Sequence, residues 1–380
     1  RQEACTLPLR PRPEIEKLAP APHGGLNEAE LKAMGLSPDD ILDFSVCSNP
    51  YISPPELSKI IEDIAISRLP DSEATEFREC LAGKLGVPPA NIIAGNGSVE
   101  LIRLIALAYF GKGDSVLLLE PTFGEYRVAC QITGAAVVGQ WAGEAAGFAH
   151  SIDETVSLIK RSRPKGIFIC NPNNPTGRYL SRKDIETVLD ASPDSLLILD
   201  EAYVAFVEKS WSSLDLISRS NLVVVRSMTK DYSIAGLRLG YAVAHREIIE
   251  MLRRVSQPWN VNAVAQKAGI VVLNDRESLE RSQQEIRKAT KYLVSEFRRL
   301  GFATLPSETH FFLVKVANVK EFRTALLRQG MLVRDCASFG LPEYVRIAAR
   351  TFLECERLIS AIQAMRDKGK LDTIMVEKRS

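Results

Sequence analysis

Five short, nearly unbroken apolar runs constrain this chain more than any other feature. They are Val116–Glu120, Gly166–Cys170, Leu196–Leu199, Leu222–Val225 and the weaker Leu239–Ala244. A strand with one wet face alternates apolar and polar residues; a continuous apolar run is buried on both faces. Helical stretches such as Arg127–Thr133 and Arg182–Ala191 lie between the runs. Strand, loop and helix in repeated order predict an α/β fold, with a mostly parallel sheet covered on both sides.

The texture changes near residue 246. Arg246–Val255 and Glu277–Leu300 are charged, amphipathic helices, followed by Phe311–Val316, Lys320–Gln329, Met331–Asp335, Tyr344–Ala348 and a last helix over Leu353–Arg366. This is the pattern of a second, smaller α+β unit. Residues 1–25 are proline-rich and read as an extended arm, and a helix capped by Asn27 is expected to run to Met34. The chain therefore divides into an arm plus part of the small domain at 1–45, a large domain at 46–258, a small domain at 259–367, and a flexible polar tail at 368–380. A chain of 380 residues is long enough for two such units.

Composition excludes several partners. The formal net charge is +1, which gives no reason to expect nucleic acid or an anionic membrane surface. No apolar run approaches the ~20 residues that span a bilayer, and Arg1–Arg12 lacks the apolar core of a signal peptide. The seven cysteines are scattered with no C-x-x-C pair, so reduced thiols in a cytoplasmic protein are expected, without a disulfide framework or a metal site.

In a parallel sheet, ligands bind beyond the carboxyl ends of the strands. Pro121-Thr122-Phe123 follows the first run and Asn171-Pro172-Asn173-Asn174-Pro175-Thr176-Gly177 the second. The third leads into Asp200-Glu201-Ala202-Tyr203, and the fourth into Arg226-Ser227-Met228-Thr229-Lys230, with Arg238 eight residues on. Upstream, Ala94-Gly95-Asn96-Gly97-Ser98 opens a helix, and free amides at such a start bind anions. Singly, these residues have ordinary explanations: N-N-P is common turn chemistry, Phe123 serves equally as core, and most lysines are solvated.

Together, from about residue 40 to 366, they resemble the fold type I pyridoxal-5′-phosphate (PLP) enzymes, the aspartate aminotransferase superfamily. The resemblance implies the type I PLP-dependent transferase fold, a seven-stranded large-domain sheet, and a homodimer with active sites at the interface. It implies that Lys230 holds PLP covalently, Asp200 pairs with the pyridine nitrogen, and Tyr203 and Asn174 bond the phenolic oxygen. Phe123 stacks on the ring; Gly97, Ser98, Ser227 and Arg238 cradle the phosphate. Arg334 and Arg346 hold the anionic end of a small amino-acid substrate, with His23, Gly24, Asn49 and Arg350 as further substrate contacts. Arginine inside an apolar strand, as in Tyr344-Val345-Arg346-Ile347-Ala348, is costly unless it finds an anionic partner, in the protein or in a ligand.

The chain departs from the family pattern at Leu69, where Arg-Tyr-Pro is usual; leucine cannot make the hydrogen bond to the neighbouring subunit's cofactor phosphate. Within the superfamily the chain is similar to histidinol-phosphate aminotransferases and to the L-threonine-O-3-phosphate decarboxylases of cobalamin biosynthesis. His23-Gly24-Gly25, the run Arg334–Phe339, and Arg350 where aminotransferases tend to have glycine favour the decarboxylases. The expected reaction is decarboxylation of O-phospho-L-threonine or O-phospho-L-serine, with transamination as the alternative.

Overall fold

The computed structural model describes residues 10–52, 60, 62 and 64–367. The expected tail at 368–380 lies outside the described residues.

The large sheet has seven strands in the order β2-β8-β7-β6-β5-β3-β4. These are β2 (Ile92–Asn96), β3 (Ser115–Glu120), β4 (Ala136–Trp141), β5 (Gly166–Cys170), β6 (Leu196–Asp200), β7 (Leu222–Ser227) and β8 (Leu239–Ala244). Only β8 runs against its neighbours, pairing antiparallel with both β7 and β2. All residues of β5 and β6 are buried, as continuous apolar runs require.

The two-residue strand period sorts the side chains between two cores. Phe168, Ile198, Val223 and Val225 pack with the Ser98–Tyr109, Glu125–Thr133 and Arg246–Val255 helices on one face. Ile167, Leu197, Leu199 and Val224 pack with the Ile152–Ser162 and Arg182–Ala191 helices on the other. The Thr75–Leu85 and Ala263–Asn274 helices close the β2 end, where Phe77 and Leu81 meet Ala265 and Val272. The Ala263–Asn274 helix thus packs with the large sheet, and the change of unit comes at Asp275, which caps the next helix.

The smaller unit is an antiparallel sheet in the order β12-β13-β10-β9. Here β9 is Ala303–Thr304, β10 Phe311–Lys315, β12 Arg334–Asp335 and β13 Tyr344–Ala348. The Arg276–Arg299 and Phe352–Asp367 helices cover it through Ile286, Leu293, Phe297, Leu358 and Ile362. The run 331–335, read as one strand, divides at buried Val333. Its first half, β11 (Met331–Leu332), pairs with β1 (Leu42–Asp43), and its second half pairs with β13. The N-terminal segment is thereby tied to the small unit. Its Glu28–Ala33 helix is capped by the Asn27 side chain, which accepts from the Glu30 N–H. The arm contains one turn of helix, Pro13–Glu16, with proline in the first position, where its missing N–H costs nothing.

Candidate active site

A cavity of about 760 Å³ lies between the carboxyl edge of the large sheet, the small sheet and the N-terminal arm. On the large-sheet side, β3, β5, β6 and β7 deliver Phe123, Asn174, Asp200 and Ser227 to its wall, and Tyr203 and Lys230 follow on the adjoining loops.

Asp200 ends β6 and is 3 % exposed. Tyr126 donates to its Oδ2 at 2.7 Å and the Ala202 N–H to its Oδ1 at 3.0 Å. Burial outweighs these donors and pushes its carboxyl up to about 6. No basic side chain among the described residues forms a salt bridge to it. A buried carboxylate without a cation is the feature a protonated ring nitrogen completes.

Burial pulls the Lys230 amine below its ordinary range, and the charges of Arg346 and Arg238 act in the same direction. That favours the neutral, nucleophilic amine. Tyr203 stands edge-on to Phe311, ring centroids 5.0 Å apart, and burial drives its phenol upward, so it remains a donor. Asn174 accepts a hydrogen bond from Arg346 Nη1 through Oδ1, which leaves its amide N–H groups as donors.

The phosphate cradle fits its proposed guest. Gly97 adopts φ +76°, and a Cβ there would fall 2.5 Å from Arg238 Nη2. Only glycine lets this guanidinium stand at the start of the Ser98–Tyr109 helix, whose first amides lack helical partners. Ser227 Oγ and Thr229 Oγ1 share a hydrogen bond of 2.6 Å beside it. A helix start, an arginine and two hydroxyls make a dianion site, and the aldehyde of PLP matches the Lys230 amine.

The small-sheet wall carries arginines. Arg334 and Arg346 are direct partners in the register of β12 and β13. Like charges opposite one another destabilise a strand pair. Among the described residues neither forms a salt bridge. Arg346, 5 % exposed, donates to Asn174 and, at 2.7 Å, to the Ser45 carbonyl, while its Nε has no partner. Arg334 donates to the Pro22 carbonyl and Ser338 Oγ, both at 2.8 Å. Two neighbouring buried guanidiniums without a carboxylate call for an anionic ligand.

The other expected substrate contacts divide. His23 lines the cavity from the arm, its ring 5.9 Å from that of Phe123, and its Nε2 meets Glu125 Oε1 at 3.0 Å. Gly24 also lines it, and a Cβ there would stand 2.9 Å from the Ser45 carbonyl oxygen. Asn49 must be corrected. It is fully buried, takes no part in the cavity wall, and spends its groups inside the protein. Its N–H donates to the Lys230 carbonyl at 2.8 Å, and its Nδ2 to the Asp231 carbonyl at 3.0 Å and Ser282 Oγ at 2.8 Å. It clamps the backbone that carries Lys230. Arg350 must be corrected too: it lies outside the cavity wall, and its Nη2 donates to Glu354 Oε1 at 2.8 Å. The signal was present in the sequence, since Arg350 and Glu354 are four apart at the start of a helix. Sequence reasoning missed Tyr126 and Thr229. Leu69 is 68 % exposed.

The family model for aminotransferase class I and II matches residues 41–362. The histidinol-phosphate aminotransferase of Symbiobacterium thermophilum is 37 % identical over 303 residues, 79 % of this chain and 83 % of that protein. The histidinol-phosphate aminotransferase of Sinorhizobium meliloti, solved in complex with pyridoxal-5′-phosphate, superposes with a TM-score of 0.84 at 22 % identity. The match covers 94 % of this chain and 98 % of that one, and shows the shared fold. The L-threonine-O-3-phosphate decarboxylase of Porphyromonas gingivalis superposes with a TM-score of 0.76 at 30 % identity, over 86 % and 100 %. The chain belongs to the aminotransferase class I and II family; it has the type I fold and is a PLP-dependent enzyme. The expected decarboxylation is overturned. Eight curated relatives that are 31–37 % identical are all histidinol-phosphate aminotransferases.

Proposed function

We propose that this member of the class I and II aminotransferases is an aminotransferase of the histidinol-phosphate type, acting on a small amine with an anionic group. The observation that carries this reading is the pairing of two walls. A lysine amine held toward its neutral form lies on one side of the cavity, and two opposed arginines, neither in a salt bridge among the described residues, lie on the other.

Bound PLP supplies an aldehyde for the substrate's amino group and a ring that draws electrons from the substrate carbon. Gly97, Ser98, Ser227 and Arg238 bind its phosphate, and Phe123 supports the ring. Asp200 pairs with the ring nitrogen and so keeps it protonated. Tyr203 and the Asn174 amide donate toward the phenolic oxygen. Arg334 and Arg346 bind the anionic end of the substrate and orient its reacting carbon toward Lys230. Once the substrate amine has replaced it on the cofactor, Lys230 would be free as a neutral amine beside that carbon, placed to take up its proton and hand it back, which is the proton movement transamination requires.

The test is a half-reaction. PLP-loaded protein mixed separately with histidinol phosphate and with glutamate is expected to lose its visible absorbance and yield pyridoxamine phosphate with at least one of them. No pyridoxamine phosphate with either would overturn the assignment.

A further inference from the structure

Tyr126 has no assigned role, yet its hydroxyl donates to Asp200, the buried carboxylate of the cavity wall. It lies in the first turn of the Glu125–Thr133 helix and is fully buried. Its ring stacks on Phe168 at 4.9 Å and 12°, and meets the ring of Phe123 edge-on at 5.6 Å and 83°. Three contacts thus fix the hydroxyl: Phe168 from the sheet, Phe123 from the cavity, and Asp200 Oδ2 at 2.7 Å.

The direction of that hydrogen bond is determined. Burial and the Asp200 charge push the Tyr126 phenol well above its ordinary range, so it keeps its proton. Among the described residues Asp200 has only one other donor, the Ala202 N–H on the opposite oxygen. The nearby Cys170 thiol directs its own hydrogen to the Pro172 carbonyl at 3.3 Å. The phenol proton therefore goes to Asp200, the stronger acceptor.

We infer that Tyr126 is a positioning residue: it holds the Asp200 carboxylate in its ionised form and in one orientation, with the remaining acceptor sites toward the cavity, while bracing Phe123 beneath the same ligand. The cofactor contact of Asp200 rests on the reading given above; the Tyr126–Asp200 coupling does not. Buried as it is, Asp200 ionises only while donors compensate its desolvation. Without the phenol, one donor of two is lost, and the proton shifts to the carboxyl. A protonated carboxyl cannot hold a protonated ring nitrogen.

The variant Tyr126→Phe keeps the ring and both aromatic contacts. The first measurement uses apoprotein: infrared titration of the Asp200 carboxyl, identified by its absence in Asp200→Asn. The midpoint is expected to rise by about one to two pH units, the size of one hydrogen bond to a charged group. Fluorotyrosine incorporated at position 126, a more acidic donor of the same shape, is expected to lower it. An unchanged midpoint in both proteins overturns the inference even if PLP binds normally. The second measurement uses PLP-loaded enzyme. The kcat is expected to fall by about tenfold, as for outer partners of a functional ligand, with KM within about twofold and with no further loss when Tyr126→Phe is added to Asp200→Asn. An equal loss in the Asp200→Asn background would show a merely structural tyrosine. Failure of wild-type protein to bind PLP would sink the cofactor contact while leaving the titration result intact.

Discussion

The two walls of the cavity treat charge in opposite ways. On the large-sheet wall, Asp200 is pushed up to about 6 and Lys230 is pulled down, so burial moves both toward neutrality. On the small-sheet wall, Arg334 and Arg346 face one another across a strand pair, and guanidinium does not give up its proton in proteins. The first wall can wait for its ligand by adjusting protons. The second has no such freedom: carbonyl, amide and hydroxyl oxygens accept from both guanidiniums, and a bound anion would relieve their repulsion further. A cofactor that stays and a substrate that comes and goes suit these two designs respectively.

Removing Lys230 tests the first wall most severely. Lys230→Ala is expected to abolish turnover and the visible absorbance of the PLP-bound protein. Borohydride reduction followed by peptide mass analysis should find PLP on Lys230 in the wild type and no covalent adduct in the variant. Normal turnover in Lys230→Ala would end the case for covalent attachment there.

Arg346→Ala tests the second wall. Losing a buried charged partner costs about 2–5 kcal/mol, so KM for the anionic substrate should rise by about 30-fold or more while PLP affinity changes by only a few-fold. The opposite pattern, weakened PLP with an unmoved KM, would transfer Arg346 to the cofactor wall and dissolve the contrast.

The proton adjustment of the first wall is measurable as stability. In the apoprotein, the folded state raises the Asp200 carboxyl from 3.8 to about 6. The fold therefore binds this proton more tightly than the unfolded chain does. The resulting stability is full below pH ~4 and is lost as pH rises through about 6, a change on the order of 3 kcal/mol. Asp200→Asn removes that dependence. Denaturant unfolding of both apoproteins between pH 4 and 7 should show the variant gaining on the wild type as pH rises, and a flat difference would contradict a burial cost for Asp200 that its two donors only partly offset.

The sequence exposed the first wall better than the second. Asp200, Ser227 and Lys230 follow apolar runs directly, and a parallel sheet brings the ends of such runs to one edge. Five strands of the large sheet were legible for the same reason. The two edge strands were not: β2 ends in Ala94-Gly95-Asn96, which reads as the Gly-rich loop that opens a helix, and β4 contains Gly139 and is only partly buried, so its period is blurred. Tyr126 escaped because it sits on a helix, where a buried aromatic ring is ordinary core. Asn49 was placed in the site because the sequence shows an Asn but not which groups, 182 and 233 residues away, complete its hydrogen bonds; Arg350 was placed there on its spacing from Arg346, although its partner Glu354 lies only four residues on. Arg334 and Arg346 lie in separate runs, and their opposition depends on strand register.

Arg350→Ala should have the smallest effect and draws the boundary of the second wall. Arg350 is only four residues from Arg346, and in an extended strand that spacing would present it to the same face. The chain leaves β13 at Ala348, however, and Arg350 turns to Glu354 Oε1 at 2.8 Å and to the Asp43 carbonyl at 3.3 Å. Its charge is therefore neutralised in the body of the small unit. A partly exposed pair of this kind contributes at most about 1 kcal/mol. Arg350→Ala should lower stability by no more than that and leave KM within about twofold, in contrast to Arg346→Ala. Glu354→Ala sharpens the point, because it frees the guanidinium without removing it. If Arg350 binds substrate, freeing it should lower KM and deleting it should raise KM by as much as Arg346→Ala does. Steady-state kinetics of the three variants on one anionic substrate distinguishes a wall of two arginines from a wall of three.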